Sequence, residues 1–496
     1  MILIKNRLFA ITFIGIISCS ILARPSRPAR LTRKSSRTAT RAQKKVTPII
    51  KPAAIKIPAP PIVQKSPLYW DWKQIDTSQL YFPSDFGWGV ATSAHQVEGN
   101  CSNNDWAAWE KNHCKAKTGS ACDHWNRYKE DIQLIKDNKF DTYRLSIEWS
   151  KVEPKPGHFD EKALEHYEDV CKELIKNNIK PLIVFHHYTS PWWFAQMGGF
   201  EKTKNIPYFV AYCKKVFERL NKYTDLWLTL NSPTSYVARA YHKKMAPPGL
   251  DNMQLMQETL KNMLEAHVQV YHAVKAMPGG EKSKIGYSHN VYHIEAKSFW
   301  DKTGANYAYK LFDSNIYTFF KTGQFNVHVP FKVSLRYANP KAKGALDFVG
   351  LSFYSHGQMT NFNVGLYPGD LPTQTDVYTI YPEGMYRAVM QITQEFANPL
   401  QIPIYITENG VATNNEKHRA IFFERTLFAL SYAMCQGCPV KGYIVWTLFD
   451  NYEWGSYGIN YGLYAIDFKT MERSKTPREG TRPLLNIVEK FGGSVT

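Results

Sequence analysis

Ile402-Pro403-Ile404-Tyr405-Ile406-Thr407-Glu408-Asn409-Gly410 is a short apolar, β-branched run, bounded by Pro and Gly, that ends in a carboxylate, an amide and a glycine. A run of that length and content reads as a strand buried on both faces. Glu408 then stands where the strand stops and a loop begins. In an α/β barrel the polar residues at the C-terminal strand ends line the active site, so a carboxylate there is a candidate nucleophile, base or metal ligand. A surface Glu in a turn is the plainer reading, and the rest of the chain decides between them.

Outward from this stretch, strand-like runs recur at Gly87–Thr92, Thr142–Ile147, Pro181–His186, Leu226–Leu230, Ile285–His289, Phe348–Phe353, Ile404–Thr407 and Gly442–Trp446. Amphipathic segments such as Glu161–Asn177, Pro207–Tyr223, Met253–Ala276 and Arg419–Cys435 lie between them. Strand-plus-helix units in this number predict a single (β/α)₈ TIM barrel with insertions, an α/β fold, over residues 68–496. Polar and aromatic groups sit at seven of the eight strand exits: Gln96 and Glu98, Arg144 and Glu148, His186 and His187, Asn231 and Ser232, Tyr354, Glu408, and Trp446 with Glu453 and Trp454. Seven such exits point to one pocket.

The chain before the barrel is of another kind. Met1 to Arg7 carries two positive charges and Leu8 to Ala23 is almost wholly apolar, the pattern of a secretory signal in residues 1–23. Ile16-Ile17-Ser18-Cys19 also resembles a bacterial lipobox, so lipidation at Cys19 stands beside cleavage after Ala23. An exported protein is expected: periplasmic, secreted or lipid-anchored at the cell envelope. Residues 24–67 hold twelve Lys or Arg, no acidic residue and scattered Pro, the composition of a disordered basic linker. Of the 61 basic residues, 47 remain in residues 68–496 against 43 acids, so the basic character belongs to the linker. A nucleic-acid partner is therefore not expected, while a membrane or cell-envelope surface fits the N-terminal segment. The sequence leaves the oligomeric state open.

The pocket inventory is carboxylates, amides, His and indoles, without a phosphate-cradling glycine loop or a spaced metal-ligand set. Indole faces flanked by hydrogen-bond acceptors suit sugars. His186 and His187 are adjacent in a strand and point to opposite sides, so no metal is expected. No cofactor is implied.

Four stretches carry a resemblance to glycoside hydrolase family 1, the retaining β-glucosidase family. They are Phe82–Phe86 with Gly89–Gly99, Tyr143–Ser150, Ile406–Gly410 and Trp446–Trp454. The resemblance implies a β-glycosidase acting on a small β-linked hexoside or oligosaccharide through a covalent glycosyl-Glu408 intermediate. It makes Glu408 the nucleophile, held by Arg144 and Tyr354, and gives Gln96, His187, Asn231 and Glu453 the glycone hydroxyls, with Trp446 and Trp454 as walls. Glu453-Trp454 resembles the members that take unphosphorylated sugars.

One position departs from the family. Retaining glycosidases need two carboxyl groups about 5–5.5 Å apart, one nucleophile and one acid then base. The family's Asn-Glu-Pro motif reads Asn231-Ser232-Pro233 here, so Ser232 marks the position of the missing acid/base. Losing general acid–base help costs on the order of 10²–10⁴ in rate. No Asp or Glu lies between Asn231 and Leu250, whereas Arg239, His242, Lys243 and Lys244 make that segment basic; His242 is the replacement acid to consider. Ser352-Phe353 and Tyr188 are smaller departures. Three readings stay open: a glycosidase restricted to groups that leave unprotonated, a transferring or slow hydrolase with the same intermediate, and a catalytically inactive sugar-binding pseudoenzyme. Among the cysteines beyond Cys19, Cys101 with Cys114 is the first disulfide pairing expected after export, Cys171 and Cys213 read as core, and Cys435-Gln436-Gly437-Cys438 reads as a helix-ending turn.

Overall fold

A computed structural model describes residue 59 and residues 61–492, within one compact unit, Ala54–Thr496. The expected signal and most of the basic linker lie outside the described residues. The packed body starts before Leu68: Asp71 N–H donates to the Val63 carbonyl (2.7 Å), Gln64 bridges Trp70, and Trp70 is buried against Phe428 and Tyr432.

Eight parallel strands close into a barrel: β1 (Gly87–Ala91), β2 (Thr142–Ser146), β3 (Lys180–His186), β4 (Leu226–Asn231), β5 (Lys284–Ala296), β6 (Phe348–Thr360), β7 (Ile404–Asn409) and β8 (Val440–Trp446). Each pairs in parallel with the next, β6 pairs with β7, and β8 returns to β1, so the sheet has no open edge within the barrel. In β7 Ile404, Ile406 and Thr407 are fully buried and Tyr405 is partly so, the two-sided burial that the continuous apolar run requires.

Around the barrel run α1 (His124–Asp137), α2 (Glu161–Lys176), α3 (Ile206–Leu220), α4 (Pro233–Tyr241), α5 (Met253–Lys275), α6 (Asn315–Thr322), α7 (Glu383–Ile392) and α8 (Glu416–Cys435), among other helices. Their starts follow capping chemistry. Asp160 accepts from the Lys162 and Ala163 amides at the head of α2, and Asn415 does the same for Lys417 and His418 at α8. In α2 the buried positions Ala163, Leu164, Tyr167, Val170, Cys171 and Leu174 recur every three or four residues, so one stripe faces the strands. Among the described residues no helix is long and apolar enough to cross a membrane.

Strands β5 and β6 run seven residues past the expected ends and stay paired beyond the barrel rim, from His293 opposite His356 to Ala296 opposite Met359. The polar sequence there hides the extension, because these residues meet each other rather than the core. A two-stranded hairpin, Gln324–Val329 with Val333–Ala338, is also additional to the expected elements.

The expected Cys101–Cys114 disulfide is not formed; all seven cysteines among the described residues are free thiols. Cys101 Sγ lies against the Ala94 and Gly99 carbonyls, whereas Cys114 Sγ lies against Gly455, so the two side chains face different parts of the rim. Cys171 and Cys213 are buried in α2 and α3. Cys435 ends α8, and Gly437 at φ 90° makes the turn, with Cys438 Sγ 3.4 Å from Met390 Sδ.

Candidate active site

The barrel register brings the strand-end residues together. Ala91 lies opposite both Arg144 and Trp446, Asn231 opposite Ser288, and Glu408 opposite Ser352. Gly410 explains the tight end of β7: a Cβ there would sit 1.9 Å from the Trp446 carbonyl oxygen, so only glycine lets β7 and β8 leave the barrel side by side.

Glu408, 8% exposed, is gripped at both oxygens. Arg144 Nη1 donates to one at 2.9 Å and the Tyr354 hydroxyl to the other at 2.5 Å. These are charge-assisted bonds to a carboxylate, the strong kind. Burial and the neighbouring Glu408 charge push the Tyr354 phenol well above its ordinary range, so it remains a donor. Arg144 is fully buried, and its Nη2 donates to Asn231 Oδ1 at 2.6 Å; the Asn231 amide in turn meets His187 Nε2 at 3.1 Å. Burial first and the Arg144 charge second hold His187 well below its ordinary pKa, so the ring is neutral. With Nε2 accepting from Asn231, the proton is assigned to Nδ1, which is buried with no hydrogen-bond partner among the described residues.

Opposite this chain, Gln96 Nε2 donates to Glu453 Oε2 (2.9 Å), and its own oxygen accepts from Ser93 (2.6 Å). The His187 ring stacks with both Trp446 and Trp454, with centroids at 5.7 and 6.2 Å. The sequence therefore locates Glu408, Arg144, Tyr354, Asn231, His187, Gln96, Glu453, Trp446 and Trp454 in one constellation. His186 faces the other way, toward Ser190, Phe200 and Tyr236, so the two histidines share no ligand position.

Glu98 and Glu148 belong to a separate knot behind β1 and β2. Glu98 pairs with Lys151 (2.9 Å) and Tyr167, and Glu148 accepts from Asn104, Ser150 and Thr189. His95, Cys101 and Glu148 hold ligand-type atoms within 4.8 Å of one another, the spacing a metal needs. The polar atoms there are already engaged: the Asn104 amide nitrogen lies 3.0 Å from His95 Nδ1 and 3.2 Å from Glu148 Oε1, and Thr118 Oγ1 lies 2.8 Å from His95 Nε2.

Ser232 caps α4 in a left-handed conformation (φ 41°, ψ 61°), with its amide held by the Ser288 carbonyl. Its hydroxyl faces Ser352 Oγ at 3.4 Å, and Ser352, Ser288 and Thr407 continue a chain of hydroxyls beneath Glu408. His242 stands at the far end of α4, roughly 15 Å along the helix from Ser232, exposed and 3.8 Å from Asp251. It does not reach the site. The sequence reading missed Tyr378, stacked on Tyr354 at 5.0 Å, and Tyr461, edge-on to it at 6.0 Å. Both come from irregular loops, where no periodicity marks which side chain turns inward.

Burial pushes Glu453 up to about 7, with the Glu408 charge adding and Arg239 and Gln96 opposing. A carboxyl shifted upward favours the fold while protonated, and that contribution is lost as pH rises through about 7. Sugar hydroxyls feel the reverse, because an ionised acceptor makes the stronger bond. Affinity for a neutral ligand such as benzyl β-C-glucoside is expected to rise severalfold from pH 5.5 to 8, and Glu453→Gln to flatten the profile, read by tryptophan fluorescence.

A (β/α)₈ barrel whose strand ends gather a gripped carboxylate, amides and indole walls defines a glycoside hydrolase. The Glycosyl hydrolase family 1 model matches residues 78–492, and the chain belongs to that family. Its relatives include a 1,4-beta-D-glucan glucohydrolase of Thermotoga neapolitana, 28% identical over 79% of this chain and 99% of that protein. A 6-phospho-beta-galactosidase of Clostridium acetobutylicum is 26% identical over 79% of this chain and 94% of that protein. Among solved structures, a beta-glycosidase from Pyrococcus horikoshii superposes with a TM-score of 0.75 at 31% identity, covering 83% of this chain and 96% of that one. A beta-glucosidase from Thermotoga maritima in complex with deoxynojirimycin gives 0.75 at 25% identity, covering 84% and 99%.

Proposed function

We propose that the chain is a retaining β-glucosidase-like enzyme for unphosphorylated β-hexosides, restricted to departing groups that leave without a proton. One observation carries this reading: the Glu408 side chain held at both oxygens, between the Arg144 guanidinium and the Tyr354 hydroxyl, an arrangement that fixes its position and aim. A Glu408 oxygen attacks the anomeric carbon, the bond from that carbon to the departing group breaks, and the electron pair leaves with that group. Water then attacks the same carbon, the ester bond to Glu408 breaks, and the water's proton passes to solvent. His187 Nδ1, Gln96 and Glu453 hold the sugar hydroxyls while Trp446 and Trp454 wall the ring. Ser232 stands for the acid/base carboxylate; a hydroxyl neither protonates the departing oxygen nor deprotonates water near neutrality.

A sugar-binding barrel without turnover is the second reading, favoured by the hydroxyl chain Ser232-Ser352-Ser288-Thr407, which contains no carboxyl. One experiment separates the two. Incubation with 2,4-dinitrophenyl 2-deoxy-2-fluoro-β-glucoside, whose departing group needs no acid, is expected to add one fluoroglucosyl unit to the peptide holding Glu408, read by mass. An unlabelled protein that still binds benzyl β-C-glucoside would establish the sugar-binding barrel instead.

A further inference from the structure

Three segments outside the pocket meet at the mouth end of the barrel. α5, 23 residues and about 35 Å long, runs from that end to the base. Lys275 in its last turn pairs at 2.8 Å with Asp347, the residue before β6, so Met253 and residues 242–252 stand at the mouth. The added hairpin lies along α5, with Tyr337 donating to Glu265 and the Ser334 amide to Gln254 Oε1, so its tip at residues 329–333 reaches the same level. β5 climbs past the rim and turns into the helix Phe299–Tyr309.

Each segment turns apolar side chains to solvent. Met245 and Leu250 are exposed in residues 242–252; Phe299 (77% exposed) and Trp300 (61%), edge-on to each other at 5.6 Å, open the helix after β5; Phe331 (82%) forms the hairpin tip. Phe331 holds a left-handed backbone at φ 58°, where a bulky residue is strained and Gly or Asn is the usual choice. Neither the turn nor the core asks for an aromatic ring there. Lys243, Lys244, Lys297, Lys302 and Lys332 surround these side chains and are exposed, and Asp251 is the sole exposed acid in residues 242–252, 297–302 and 329–333.

Exposed apolar side chains ringed by one sign of charge match an anionic bilayer, whose interface takes the rings while its headgroups meet the ammonium groups. An acidic polymer would leave Met245, Leu250 and Phe331 in water, and a second copy would set lysine against lysine. The chain preceding the barrel also arrives at this end. Tyr69 donates to Asp370 (2.6 Å) in the loop after β6, and the Trp70 amide to Glu383 (3.1 Å) at the head of α7. Ahead of them in the sequence lie the apolar run Leu8 to Ala23 and the twelve basic residues of 24–67. A tether joined at the mouth end brings that end toward the surface that holds its apolar run.

We propose that this sector of the rim docks on an anionic lipid bilayer, with Phe299, Trp300 and Phe331 entering the interface and the five lysines meeting lipid phosphates. The docking belongs to the barrel itself and goes beyond the glycosidase reading.

The first tryptophan of the chain is Trp70, so tryptophan emission reports on the barrel and not on the residues before it. The full chain is mixed with vesicles of phosphatidylcholine and phosphatidylglycerol in equal parts, carrying brominated acyl chains. Quenching is expected there and far less with phosphatidylcholine alone. Trp300→Phe should still co-sediment with the vesicles while losing most of the quench. Phe299→Ser with Phe331→Asn, which leaves Trp300 as reporter, should lower the quench severalfold; these side chains are exposed, so the urea midpoint should not move. Vesicle binding with unquenched tryptophans would assign docking to the residues before the barrel and overturn the proposal, as would a quench that Trp300→Phe leaves intact. Without a quench, self-association lost in the Phe299→Ser, Phe331→Asn variant would assign the face to a second copy, and dextran sulfate binding lost in Lys297→Gln with Lys302→Gln would assign it to an acidic polymer; either result overturns the bilayer. No turnover is needed, so an inert Glu408 leaves the readout intact.

Discussion

Ser232→Glu is expected to raise turnover of alkyl β-glucosides, whose departing oxygen needs a proton, by about 10²–10⁴-fold. The surroundings favour a clean exchange. Ser232 already holds the left-handed backbone at φ 41°, and its side chain makes no cap bond to α4, so the substitution gives up no helix-capping interaction. Its amide is fixed by the Ser288 carbonyl, which sets where a longer side chain starts. The partner lost is one hydroxyl contact at 3.4 Å, a weak one. Dinitrophenyl glucosides should gain far less in the glycosylation step, since they depart without a proton. The head of α4 and the Arg239 charge both favour an ionised Glu at that position, which moves the alkaline limb of the pH profile, where the general acid loses its proton, to lower pH. Ser232→Glu with Arg239→Met should move that limb back up. A gain equal for alkyl and dinitrophenyl substrates would mean that the new carboxylate acts on water alone, and no gain for either would remove Ser232 from the acid/base position.

Much of this site is legible in the chain because a parallel barrel ties three things to one residue: burial on both faces, an abrupt strand end, and a polar group at that end. The pattern reads as a strand over Ile404–Thr407 with Glu408 just beyond it; the strand formed is Ile404–Asn409, so Glu408 lies within its last two residues, at the C-terminal end of the barrel. The same logic located Arg144 within β2 and Asn231 at the end of β4. It failed wherever direction in space, rather than spacing, decides. Glu98 and Glu148 follow strand ends yet turn behind the barrel, because Lys151, Tyr167 and Asn104 draw them there. Cys101 and Cys114 flank the helix Asp105–His113 and face apart. Tyr378 and Tyr461 reach the pocket from loops with no period to read. Arg239 reads as one of several basic residues in a solvated segment; what sets it apart is a buried Nε with no hydrogen-bond partner among the described residues, which only the folded arrangement reveals.

Glu408→Gln is expected to lower turnover of dinitrophenyl β-glucosides by about 10⁴-fold or more, because an amide oxygen is a poor nucleophile and no step of the retaining pathway bypasses it. Sugar affinity should change only severalfold, since Gln96, His187, Glu453 and the two indoles are untouched. Stability gives a second, independent reading of the same substitution. Arg144 is fully buried, and removing the charge opposite it leaves a guanidinium balanced by Asn231 alone. Breaking one side of a buried ion pair costs about 3–5 kcal/mol, visible as a lower urea midpoint. Glu408→Gln combined with Arg144→Met removes both charges and should recover part of that loss while activity stays absent. Catalysis and stability then separate: the single variant loses both, the double variant regains only the fold. Turnover retained in Glu408→Gln would shift the covalent chemistry to Glu453, the other carboxylate of the pocket, whose late ionisation would then show as activity appearing only as pH rises through about 7.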